Sequence, residues 1–167
     1  MANEVFRRPV VTLPEKFVYP HHMMSGPLIV AIGDHLHPHP DFTQVYSSSA
    51  CQGEAVLVLK AMKTAMQPAI FETVLAWFWP IGDAVEFTPT EDEFMRRTNA
   101  LWMAAHEIPN VAWTLEKQRE GMRMWRRLPS VAAVIELITP QIRPLIRTVN
   151  ALGHIAGIEN PRSPDHK

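Results

Sequence analysis

The chain has 167 residues, 47% of them apolar, with 16 lysines and arginines against 17 aspartates and glutamates and a formal charge of −1. That length buries roughly 70% of the unfolded surface in one domain, and the composition excludes a disordered or collagen-like chain. A net charge near zero excludes global attraction to nucleic acid, so an electrostatic partner has to be met by a local patch.

Residues 1–40 hold six of the fifteen prolines and five of the eight histidines, with few periodic apolar positions. They predict an extended arm from residue 1 to about 27, PPII-like where prolines recur and mobile until a partner orders it. The apolar run 28–32 (LIVAI) predicts one short strand, and 33–46 a loop. Ser49 with Gln52 fits a capping box for a helix to about Met66, with Ala55, Val58, Leu59, Met62 and Met66 on one face. Pro68 starts the next helix, with a stripe of Ile70, Phe71, Val74, Leu75 and Phe78, and Pro80 stops it.

The C-terminal half is punctuated more sharply. Thr90 with Glu93 is a second capping box, and Phe94, Met95, Thr98, Leu101, Trp102 and Ala105 follow at helical spacing until Pro109. Thr114 caps a helix with the stripe Leu115, Met122, Trp125 and Leu128, closed by Pro129. Ser130 caps VAAVIELI, which ends at Pro140. A last helix runs from about 141 to 154, with Ile142, Leu145, Ile146, Val149 and Leu152 inward and Gly153 or Gly157 as its left-handed terminator. Pro144 sits in its first turn, where the missing N–H costs little. The expected fold is therefore mainly α, a multi-helix globular bundle with an irregular Pro/His-rich N-terminal arm. The expected division is arm and loop 1–46, helical domain 47–158 and disordered tail 159–167.

Chemistry is sparse. DHLHPHPD at 34–41 offers His35, His37 and His39 as metal ligands, since neutral imidazole suits zinc, nickel or copper. In an extended chain the three would lie on one side. Pro38 and Pro40 stiffen the segment and the ligands share one local stretch, so a solvated loop, with no metal and no cofactor, is the expectation. Cys51 stands alone, which excludes a disulfide framework and points to a reducing compartment. It falls in the first turn of a helix, yet a structural role is expected there. No G-x-S-x-G elbow and no Walker-type loop occurs. Glu91, Asp92 and Glu93 sit where acids stabilise a helix start. No apolar run approaches the ~20 residues of a membrane span, and the first residues lack signal-peptide features. A cytoplasmic protein without a membrane partner is expected.

The arginines carry more information. Arg119, Arg123, Arg126 and Arg127 recur at i, i+4, i+7 and i+8, an arc of about 100° on one helix, with Trp125 as an anchor. Adding Lys117, Arg143 and Arg147, the span 114–147 has seven basic residues against Glu116, Glu120 and Glu136. Such a surplus suits an acidic protein surface or a phosphate backbone. Base reading by a helix-turn-helix is not expected, because VAAVIELI offers only Glu136 to a base edge.

W-F-W-P at 77–80, TPTEDEF at 88–94 and RMWRRLPSVAAVIELITP at 123–140 resemble helical domains of phage-type replication accessory proteins, in particular replicative-helicase loaders. The matching stretch is Trp125, Arg126, Arg127, Leu128, Pro129, Ser130, Val131, Ala132, Ala133, Val134 and Ile135. Members commonly carry an acid where this chain has Ala133. The resemblance implies a non-enzymatic adaptor of phage or plasmid replication that binds a protein partner, with possible contact to nucleic acid through the arginines. Two other expectations compete: a phage assembly protein whose arm laces an oligomer together, and a small metal-dependent enzyme using residues 34–41.

Overall fold

The computed structural model describes residues 9–19, 23–37 and 49–157. The fold is mainly α. Six α-helices and no β-strand occur among these residues: α1 Gly26–Leu36, α2 Ser49–Ala65, α3 Phe71–Ala84, α4 Glu91–Ala104, α5 Leu115–Met124 and α6 Val131–Ile155. A 3-10 turn, Asn110–Ala112, leads into α5. The chain divides into two compact units, Met1–Phe17 with Met66–Ile142 and Val18–Ala65 with Arg143–Lys167.

In the first unit, α3 does not stop at Pro80; it continues to Ala84 with the proline inside. A proline has no N–H for the carbonyl four residues earlier, which here belongs to Ala76. Gln118 of α5 supplies the missing donor. Its buried amide Nε2 donates to Ala76 O at 3.3 Å and to Trp77 O at 2.7 Å. The extra turn carries Ile81 and Gly82 into the core beside Val74, Leu75, Trp77 and Phe78. At the turn before α3, Ile70 is its exposed N-cap residue rather than part of the buried stripe.

α4 begins as expected, with Thr90 Oγ1 accepting from the Glu93 N–H at 3.3 Å. Phe94, Thr98 and Leu101 are buried along it. The Phe94 ring stacks on Phe78 at 5.4 Å and meets the edge of Trp79 at 5.6 Å. A Cβ on Gly82 would lie 2.6 Å from Phe94 Cε2, so only glycine lets this ring lie against α3. Trp77 and Trp113 meet edge to face at 5.4 Å, and Trp77 Nε1 donates to Thr114 O. The indole N–H of Trp113 is buried with no acceptor among the described residues.

α5 buries Gln118 and Gly121; of the apolar stripe expected of it, Leu115, Trp125 and Leu128 pack against the core while Met122 faces solvent. It ends at Met124, so residues 125–130 form a non-helical turn. α6 is one helix of 25 residues, not two. Ser130 Oγ accepts from the Ala133 N–H at its start. Pro140 and Pro144 are both exposed; at i, i+4 they share one side, where water can satisfy the carbonyls they leave without a donor. The buried positions Val134, Ile138, Ile142, Leu145, Thr148, Leu152 and Ile155 keep helical phase through both prolines, so the helix need not break.

Part of the described arm is packed on the first unit. Leu13 is buried in the core of the first unit, with Val11 and Phe17 against it. Pro14 O accepts from the Leu115 N–H and Glu15 O from the Glu116 N–H, both at 2.9 Å. Residues 11–17 thus contribute to the core of the first unit, where an arm with few buried positions was expected.

In the second unit, residues 28–32 are helical, where a strand was expected. Leu28, Ala31 and Ile32 are buried while Ile29 and Val30 are exposed, a helical and not an alternating pattern. Ser25 caps α1, its Oγ accepting from the Leu28 N–H. Glu54 of α2 fixes that cap: Oε1 accepts from the Ser25 N–H and Oε2 from its hydroxyl, each at 2.6 Å. These bonds, the hydroxyl's first, hold the Glu54 carboxyl below its ordinary value. α2 turns Cys51, Ala55, Val58 and Met62 inward; the cap expected at Ser49 falls on a side chain outside the described set. Tyr19 bonds α6 through its hydroxyl, to Thr148 Oγ1 and Pro144 O. The helix ends before Gly157, which takes the left-handed φ of 72°.

Gln118→Leu should destabilise the protein by about 1–3 kcal/mol, because the half-buried Ala76 carbonyl and the buried Trp77 carbonyl lose this donor. In a Pro80→Ala background, where Ala76 O regains a backbone N–H, the same change should cost measurably less. Urea unfolding of the four proteins in a double-mutant cycle measures the difference, and equal losses in both backgrounds contradict the assignment.

Candidate functional site

The basic surface forms at the C-terminal end of α5. Thr114 caps the helix, its Oγ1 accepting from the Lys117 N–H at 3.3 Å. The Pro14 and Glu15 carbonyls take two further first-turn N–H groups that a helix leaves without a partner. Gly121 lets the Trp125 ring fold back over the helix; a Cβ there would lie 2.5 Å from Trp125 Cζ3. Trp125 is thus half-buried, its N–H closing the helix on Gly121 O at 3.0 Å.

The expected arginine row is split by the end of α5. Arg119 forms an ion pair with the Glu15 carboxylate. Arg123, in the last turn of the helix, is exposed and makes no ion pair among the described residues. Arg126 and Arg127 lie past the helix end, beside residues 86 and 87. The Glu86 N–H donates to Arg126 O at 3.0 Å, and Arg126 Nε lies 3.8 Å from Glu86 Oε1. The Arg127 guanidinium sits 5.0 Å over the Phe87 ring. Arg97 of α4 donates to Pro129 O at 3.0 Å and holds the turn from the other side. Arg143 and Arg147 are exposed on α6, in the second unit.

Apolar side chains interleave with these cations. Met122 and Met124 are exposed on α5, and Phe87 is 62% exposed beneath Arg127. On the adjacent side, a groove of about 400 Å³ is lined by Lys117, Glu120, Met124 and Trp125 from α5 and its end. Ala133, Glu136, Leu137 and Pro140 line it from α6. Lys117 Nζ is held by Glu120 Oε2 at 2.6 Å. Phe87, Met124 and the groove carry no local signal in the sequence; Gly121 four residues before Trp125 is the one sign that this ring lies flat on its helix.

The histidines are arranged differently from the expected extended ladder. His35 is in the last turn of α1 and His37 is its C-cap residue, so at about 100° per residue they leave the helix on different sides. His39 lies outside the described residues. His35 stacks on His154 of α6, ring centroids 4.9 Å apart. Burial, and then the charge of His154, push the His35 pKa down from its ordinary 6.5. Among the described residues no three His, Cys, Asp or Glu side chains are grouped to hold a metal ion. Cys51 is buried, and no described helix is long and apolar enough to cross a membrane.

Compared with known proteins, the chain matches no family model, no curated protein and no solved structure.

A group whose folded pKa is depressed contributes stability that is present above its unfolded pKa and lost as pH falls through the folded one. Acidification below 6.5 should therefore destabilise the second unit at the His35–His154 stack. His35→Phe keeps a ring there without the charge. Its melting temperature should fall less than that of the wild type between pH 7 and pH 5, and parallel curves refute the linkage.

Proposed function

We propose that this chain is a non-enzymatic helical adaptor that binds a protein partner through the surface around Trp125. The observation that carries this reading is the composition of that surface: Met122, Met124 and Phe87 exposed among Arg123, Arg126 and Arg127. Tryptophan, methionine, aromatic rings and arginine are the side chains enriched where proteins meet, and tryptophan and arginine dominate their hot spots. The turn that presents them is anchored by Glu86 and Arg97, so little order has to be created on binding. Arg119 is neutralised by Glu15 and Arg126 is shared with Glu86. Both pairings weaken a continuous phosphate-binding stripe and favour a protein over nucleic acid. The replication setting rests on the resemblance of residues 77–140 to helicase-loader domains and is the specific form of this proposal.

A photo-crosslinking residue at Met122, introduced in the native host, should capture one defined protein. Arg123→Glu combined with Arg127→Glu should reduce that capture by about tenfold or more, as loss of interface hot spots does. Because exposed substitutions shift stability by only about 0.5 kcal/mol, the melting temperature should stay within about 2 °C. Capture unchanged by the double substitution refutes the reading. Binding of duplex DNA that weakens with salt and disappears in the same variant would replace it with the nucleic-acid reading.

A further inference from the structure

We propose that the groove between α5 and the first half of α6 receives a lysine or arginine side chain of the partner protein. This inference rests on the adaptor reading and names the chemistry its partner presents. The lining positions 117, 120 and 124 on α5 step by three and four, as do 133, 136, 137 and 140 on α6. Two helix faces thus form the walls, not a loop.

The groove is rich in acceptors. Glu136 is exposed there and makes no ion pair among the described residues. Its backbone carbonyl is also short of a donor, because the residue four positions on is Pro140, which has no N–H. Glu136 and Pro140 both line the groove, so the gap in the helix's bonding lies on that side. Glu120 adds a second carboxylate, and it already holds an ammonium in this setting, that of Lys117. Lys117 and Glu120 offset each other in their ion pair, so the lining's surplus charge is the negative charge of Glu136. An acidic ligand would meet that carboxylate and find only Lys117, which is engaged.

The remaining walls suit a long basic side chain. Met124, Leu137 and Ala133 offer apolar surface to the methylene stem, which such residues bury while the charged head stays at a polar rim. Trp125 offers an aromatic ring for the cation. Ala133 keeps the floor open, since a larger side chain at that position would occupy the space.

The test uses the full chain and N-acetylated, C-amidated trilysine, with triglutamate and trialanine peptides as controls. Binding is read from the Trp125 indole N–H and Met124 methyl resonances at constant ionic strength. Trilysine should shift both saturably, with a dissociation constant near ~1 mM, as expected of a short peptide with one anchored side chain. Triglutamate and trialanine should not shift them. Glu136→Gln, an exposed change that preserves shape, should weaken trilysine by about threefold or more, and Ala133→Phe should abolish the shifts. Failure of trilysine to shift either resonance, or equal binding by Glu136→Gln, overturns the proposal even where Ala133→Phe does not fold. If host capture at Met122 depends on the arginines while trilysine does not bind, the groove fails and the adaptor reading survives. If trilysine binds as expected but Met122 captures nothing, the groove survives and the adaptor reading falls.

Discussion

The paired hydrogen bonds from Gln118 to the Ala76 and Trp77 carbonyls set the arrangement of the first unit. Pro80 leaves one of those acceptors without its helical donor, and an unmet buried carbonyl costs about 1–3 kcal/mol. Meeting it with a side chain from α5 lets α3 run on through Ile81 and Gly82. Those two residues form much of what α4 and α5 lean on: Gly82 receives the Phe94 ring, and Ile81 reaches the Gly121–Trp125 contact. The Trp125 surface is thus tied, through the turn after Pro80 and the close approach at Gly121, to one buried amide. A polar helix such as α5 is held by that bond and by the strap of residues 14–15 as well as by Leu115 and Trp125 against the core.

The second unit uses a related device at a helix start. Ser25 caps α1 in the ordinary way, but its own N–H and hydroxyl are held by Glu54 from α2. A carboxylate bridging two elements fixes the entry of α1 and its rotation together, which turns Leu28, Ala31 and Ile32 inward.

Most helices were legible because their signals are local. Thr90, with Glu93 three residues on, and Thr114 cap their helices as expected, and Gly157 takes the left-handed terminus expected of a glycine there. The misreadings share a cause. Pro80 and Pro140 were read as stops because a proline's cost is local and visible, whereas its compensation comes from Gln118 across the fold or from solvent on an exposed face. The short apolar run 28–32 suits a strand as well as a buried helix segment, since periodicity alone does not separate the two. The i, i+3, i+4 burial of Leu28, Ala31 and Ile32 decided for the helix, fixed by a cap whose partner lies 29 residues away. The candidate site was only half legible. Arginine spacing is visible in a sequence, but the end of α5 at Met124 separates Arg126 and Arg127 from it, and the groove arises from two helix faces that no local pattern brings together.

The strap formed by Pro14 and Glu15 has a consequence for how the molecule is made. These residues meet Leu115, Glu116 and Arg119 across about a hundred positions of chain, the Glu15–Arg119 pair spanning 104. Contacts of such sequence separation form late, since the loop entropy is lost before the contact is gained. During synthesis, Val11, Leu13 and Phe17 emerge long before α5 exists to receive them. At the ribosomal rate of about 5–20 residues per second, they stay uncovered for several seconds. For that interval, this apolar segment is open to other chains and to chaperones, and it is covered only when α5 has left the ribosome.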